Sequence, residues 1–94
     1  MIKHIVFTKF KNPDENVPAA RAMLELLPQK IPEIVSLETG RDFLSSARSW
    51  DMALVVTFHT RAALDIYAEH PAHQEVKQYI HAHWLDSATV DYEC

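Results

Sequence analysis

This sequence holds one glycine, Gly40, and one cysteine, Cys94, in 94 residues. Without closely spaced glycines there is no loop whose backbone N–H groups can cradle a phosphate, which excludes the nucleotide-binding classes built on such loops. A lone cysteine at the last position closes no internal disulfide and supplies no paired-thiolate zinc site. A reduced, cytoplasmic setting is therefore expected. Long hydrophobic runs are missing too, none approaching the roughly 18 residues of a membrane helix. The opening Met1-Ile-Lys-His4 has none of the segments of a secretory leader. Basic residues number 9 against 13 acidic, a formal charge of -4. They are scattered, whereas nucleic-acid binders cluster lysine and arginine to displace counterions. Neither a nucleic-acid nor a membrane partner is expected. No serine sits in a nucleophile elbow, so covalent catalysis has no support.

The composition, 48% hydrophobic and 23% charged, is that of an ordinary globular chain rather than a disordered one. We expect a single domain over residues 1–94. Ile2–Phe10 alternates with Ile2, His4, Val6 and Thr8 on one face and Lys3, Ile5, Phe7 and Lys9 on the other. Both faces are apolar at the centre, which predicts a strand covered on both sides. After a polar loop, Asn16 is expected to cap a helix with Pro18 in its first turn. Val17, Ala20, Leu24 and Leu27 fall on one stripe of that helix, which Pro28 and Pro32 end or kink. Ile34–Arg41 reads as a more polar strand and 42–49 as a solvated loop. Met52–His59 is the most apolar strand, again greasy on both sides. Thr60 can cap a short helix through Glu69, and Pro71 opens another that is expected to reach about Leu85. Ala88–Glu93 alternates as a last strand.

The order β-α-β-β-α-α-β predicts an α+β, ferredoxin-like layer: a four-stranded antiparallel sheet with its helices on one face. The other face would expose Ile5, Phe7, Ala53 and Val55, more apolar surface than a soluble monomer usually carries. A second copy of the sheet is the simplest cover, so a homodimer packed sheet to sheet is expected.

The candidate site comes from the six histidines. The tight cluster is Tyr67-Ala-Glu-His70-Pro71-Ala72-His73. His73 falls in the first turn of the helix opened by Pro71, on its apolar stripe. There the positive end of the helix dipole favours a neutral ring, and a neutral histidine beside a tyrosine is a plausible general base. His4, polar between apolar neighbours, needs a partner or a pocket. Each of these histidines also has a bland reading, as a hydrogen-bonded residue that only fixes a turn or a strand. His70 and His73 with His4 as a third ligand would be a poor metal site, because Pro71 interrupts the helix and no carboxylate joins at ligand spacing. No metal is expected. His81 and His83, two apart, point to different sides, and Arg21, Glu25 and Lys77 read as a solvated helix face.

These residues carry a family resemblance. Met1–Lys11, Lys30–Asp42, Trp50–Val56, the Tyr-x-x-His-Pro-x-His element at 67–73 and Val90-Asp-Tyr92 together resemble the stress-responsive dimeric α/β-barrel (Dabb) domain over essentially the whole chain. Glu33 stands where glycine is common in the family, and Trp50 where tyrosine or phenylalanine is usual. The resemblance implies a ferredoxin-like fold whose two sheets close a barrel across a homodimer. A plant branch of the family contains cofactor-independent polyketide cyclases that perform aldol condensation. Its pocket histidine matches His73, its tyrosine Tyr67 and its strand histidine His4, while a further pocket histidine falls at Met52. No cofactor is implied. His70, Met52 and Ile80 are expected to line the pocket with them. Two functions stay open. One is a small-molecule pocket between sheet and helices, with cofactor-independent cyclase- or lyase-type, or monooxygenase-like, chemistry on an organic carbonyl compound. The other is a non-catalytic, stress-related dimeric protein with structural histidines. A cavity of roughly 300 Å³ or more would favour the first.

Overall fold

The computed structural model describes all residues, 1–94. Its elements are β1 (Ile2–Phe10), α1 (Pro13–Glu25), α2 (Leu27–Lys30), β2 (Ile34–Arg41), β3 (Met52–Phe58), α3 (Arg61–Glu69), α4 (Pro71–His83) and β4 (Trp84–Glu93). The four strands form one sheet in the order β2-β3-β1-β4, with every neighbouring pair antiparallel. This is the ferredoxin-like arrangement expected from the element order. No helix is long and apolar enough to cross a membrane.

The core forms where the sequence patterns point. Val17, Ala20 and Leu24 of α1 and Leu27 of α2 are buried in one cluster with Leu54, Val56 and Phe58 of β3 and Phe10 of β1. Thr60 caps α3 through its side-chain oxygen, which accepts the Ala63 N–H at 3.1 Å. That bond satisfies one of the helix's orphan donors.

Three helix boundaries differ from expectation, one being that the first helix ends at Glu25, so that Leu27 and Pro28 open the separate α2. α1 begins at Pro13, not after Asn16. Pro13 occupies the first helical position, where its missing N–H costs nothing. Asn16 instead lies buried inside the helix, where its Oδ1 accepts the Asn12 N–H at 3.0 Å and its Nδ2 donates to the Tyr79 hydroxyl at 3.3 Å. Pro18 then falls in the second turn and is tolerated inside the helix. At the other end of the chain, α4 stops at His83 and β4 starts at once with Trp84, well before Ala88. The reason is tertiary. β1 offers a ladder partner as far as Phe10, which pairs with Trp84 across a bulge at Lys9/Phe10. The Lys11 N–H also holds the His83 carbonyl at 2.8 Å.

All the helices lie on one side of the sheet. On the open side, register aligns Val55, Ile5 and Val90 in one row and Ala53, Phe7 and Ala88 in the next. The apolar patch expected from β1 and β3 thus extends onto β4. In the single chain Phe7 is 39% and Val90 58% exposed, so this face is bare rather than buried. Within the loop joining β2 to β3, Phe43 is 94% exposed.

A cleft between the helices and the sheet

The site begins with how α4 packs. α4 rests chiefly on α1, α2 and α3, while α1 and α3 contact the strands. It therefore stands off the β1–β4 half of the sheet, and a cleft of about 310 Å³ opens between them. Its inner wall is apolar, with Leu24, Met52, Leu54, Val76 and Ile80. The volume sits at the lower end of the range for small-molecule sites.

The cleft brings together most of the expected residues. His4 comes from β1, Tyr67 from α3 and His73 from the first turn of α4, and all three line it, as do Met52 and Ile80. The ring centroids of Tyr67 and His73 lie 4.3 Å apart, and those of His4 and Tyr67 lie 6.0 Å apart. Phe58 backs the Tyr67 ring at 5.2 Å.

His70 is a correction. It was expected in the pocket wall, but it does not line the cleft. Its Nδ1 accepts the Ala72 N–H at 3.0 Å and so serves as the N-cap of α4. The His70-Pro71 break puts the residue before the proline in extended geometry, which turns the ring back onto the new helix's orphan N–H groups. His70 and His73 therefore work on different atoms. No group of three histidine, cysteine or carboxylate side chains converges in metal-binding geometry.

Hydrogen bonding fixes the proton on His73. Its Nδ1 lies 3.0 Å from the Ala68 carbonyl, and a carbonyl can only accept, so Nδ1 carries the hydrogen. The neutral ring then presents a lone pair on Nε2. Burial holds the His73 pKa below the ordinary histidine value of 6.5; the bond to Ala68 opposes this, and the nearby Lys77, His4 and His70 add to it. This shift favours the neutral ring, and its first cause is desolvation.

Tyr67 is 1% exposed, and its hydroxyl is a buried polar atom without a hydrogen-bond partner. Burial pushes the phenol's pKa well above its ordinary value of 10.0, so the hydroxyl keeps its proton. A buried, unpaired donor in a native structure calls for an explanation. Tyr67 is also among the residues that line the cleft.

Three contributors escaped the sequence reading. Asp91 on β4 is the cross-strand partner of His4, and its carboxylate accepts from His4 Nδ1. Only the register of two strands at opposite ends of the chain reveals that pair. Lys77 and His81 are exposed, as a solvated helix face would be, and they also line the cleft, where His81 stacks on Trp84 with centroids 4.2 Å apart. The spacing of His73, Lys77 and His81, one helical turn each, was the available signal. His83 faces elsewhere, its Nδ1 donating to the Tyr79 carbonyl at 2.8 Å. A second hollow of about 360 Å³ lies at the open sheet face between Phe7, Phe43 and Trp50. It contains no histidine or tyrosine.

Comparison with known proteins bears on this arrangement. The family model of the stress responsive A/B barrel domain matches residues 2–94. A dimeric protein of unknown function and ferredoxin-like fold from Bacteroides fragilis superposes with a TM-score of 0.90 at 27% identity, covering 99% of this chain and 95% of that one. A dimeric ferredoxin-like protein of unknown function from Thermobifida fusca gives 0.87 at 26% identity over 99% and 90% of the two chains. The hydroxynitrile lyase of Passiflora edulis shares the fold at a TM-score of 0.83 and 20% identity over 97% and 90%. No curated protein matches the sequence.

Proposed function

The chain belongs to the stress responsive A/B barrel domain family, and from that premise we propose that it is a homodimer whose protomers each bind a small organic carbonyl compound in the cleft and move a proton on it without a cofactor. Three groups carry the chemistry. His73 Nε2 takes a proton from the carbon next to the carbonyl; the C–H electron pair becomes the C=C bond of the enolate as the C=O π pair moves onto the oxygen. The Tyr67 hydroxyl donates a hydrogen bond to that developing enolate oxygen. His4, oriented by Asp91, stands across the cleft as a further polar contact. The enolate can then attack a second carbonyl carbon, as in an aldol ring closure, or take back the proton. The buried Tyr67 hydroxyl with no partner beside a neutral histidine supports this reading most, because a purely structural core would not leave it orphaned.

The dimer follows from the open face. Two rows of apolar residues across the strands, continuous from Val55 to Val90, suit a second copy of the same sheet related by a two-fold axis. The dimeric neighbours support this reading.

The test is a thermal-shift screen of aryl and alkyl ketones, followed by deuterium exchange at the α carbon of the hits in D₂O. Hits should raise the melting temperature, and exchange should be lost in His73→Ala with the dimer intact. If His73→Ala exchanges and binds as the parent does, the histidine has only a structural role and the reading fails.

A further inference from the structure

The cleft's charge is unlike that of the chain around it. The protein has 13 acidic residues and a formal charge of -4, yet none of the cleft's lining residues is a carboxylate. Its charged and titratable lining comes instead from bases and one phenol. Three of the bases lie in a row, His73, Lys77 and His81, each four residues from the last on α4. Side chains at that spacing share one helix face, and this row faces the apolar wall of Leu24, Met52 and Leu54. Lys77 enters no ion pair. No acidic residue stands three or four positions from it on α4 to neutralise it. At the mouth, β4 adds the hydroxyl side chains of Ser87 and Thr89, which can donate to an anion.

We propose that the cleft selects a small oxo acid: the carboxylate binds Lys77 at the mouth, the apolar ring or chain fills the Leu24–Leu54 wall, and the carbonyl meets Tyr67 and His73. This rests on the cleft being the ligand site, and it adds the charge of the ligand. Size narrows the class further. A cleft of about 310 Å³ is about twice a cavity that takes up one benzene, which fits one ring with a short side chain.

The charge is suited to the chemistry as well as to binding. A fixed cation on the carboxylate also positions the adjoining carbonyl, where a one-ångström misplacement is costly. Lys77 itself does not touch the reacting carbon, so it is a specificity residue rather than a catalytic one.

The test uses a matched pair of probes, phenylpyruvate and phenylacetone, in which a carboxylate replaces a methyl group. Binding is followed by NMR shifts of the His73 ring and the Ile80 methyls in 20 mM buffer. Phenylpyruvate should bind about 3–10-fold more tightly than phenylacetone, the range of one exposed to partly desolvated ion pair. Lys77→Met, which keeps the alkyl stem, should erase that preference, so that the two probes bind alike. Lys77→Glu should reverse it, and 0.3 M salt should shrink it. Lys30→Met, at the end of α2, should do none of this. If both probes shift His73 and Ile80 with equal affinity in the parent protein, charge selection is overturned and the cleft stands as a ligand site. If neither probe shifts them, both this inference and the assignment of the cleft are overturned.

Discussion

Replacing Tyr67 with phenylalanine should stabilise the ligand-free protein and disable the cleft at once. The ring is 1% exposed and packs between Phe58 and His73 at 5.2 and 4.3 Å, contacts that phenylalanine keeps. Only the hydroxyl is lost, and that hydroxyl is buried beyond the reach of solvent with no hydrogen-bond partner. An unmet polar group of this kind costs about 1–3 kcal/mol, so its removal should return a comparable amount. For a domain of this size about 1 kcal/mol moves the melting temperature by about 4–8 °C. Differential scanning calorimetry at one fixed protein concentration, which holds dimer mass action constant, should therefore show a rise of at least several degrees. In the same variant, α-carbon exchange on any ligand that the parent processes should fall by about 10²–10³, the usual cost of removing one oxyanion donor. A fall in melting temperature would refute the argument, because it would mean that the hydroxyl is bonded in the native protein and serves the fold.

Other perturbations test other links. Val55→Asp would bury a carboxylate at the centre of the open face in each protomer. The effective penalty is several kcal/mol per ion and about 1.4 kcal/mol is tenfold in affinity, so light scattering should report monomer or aggregate; an unchanged dimer would remove the sheet-to-sheet interface. For His73, an NMR titration of the ring should give a midpoint below 6.5, and Lys77→Met should raise it, since the Lys77 charge is among the causes that lower it. Because the folded pKa lies below the unfolded one, the stability from keeping His73 neutral is present above about pH 6.5 and is lost as pH falls through the folded value. A midpoint at or above 6.5 would contradict the burial of the ring.

Physically, the cleft exists because α4 packs on other helices more than on strands. Pro71 and the His70 cap start α4 in a new direction after α3, and Asn16 and Tyr79 tie α4 to α1 at 3.3 Å. The sheet below is left with a partly uncovered half, where a two-layer domain would ordinarily close on its core. His4 and Asp91 occupy that half as a satisfied polar pair, which lets the strand tolerate a polar ring there.

Local chemistry along the chain was enough to specify several features of this protein. The alternation in Ile2–Phe10 and Met52–Phe58, the Thr60 cap and the proline that opens α4 act over a few residues, so their signals survive without a structure. The same holds for Tyr67 and His73, which a short turn keeps adjacent whatever the rest of the chain does. The unpaired greasy face was legible because there were too few helices to cover two sides of a sheet. Tertiary packing alone decided the remainder. Asp91 meets His4 across 87 positions of sequence through strand register, and Trp84 leaves the helix because β1 offers it a ladder partner. His70 caps α4 because the Pro71 break sets its ring against the new helix's orphan N–H groups, and Lys77 and His81 line a cavity only because α4 is held away from the sheet. Intervals of three and four residues reveal which side chains share a helix face, but long-range contacts determine what that face looks upon.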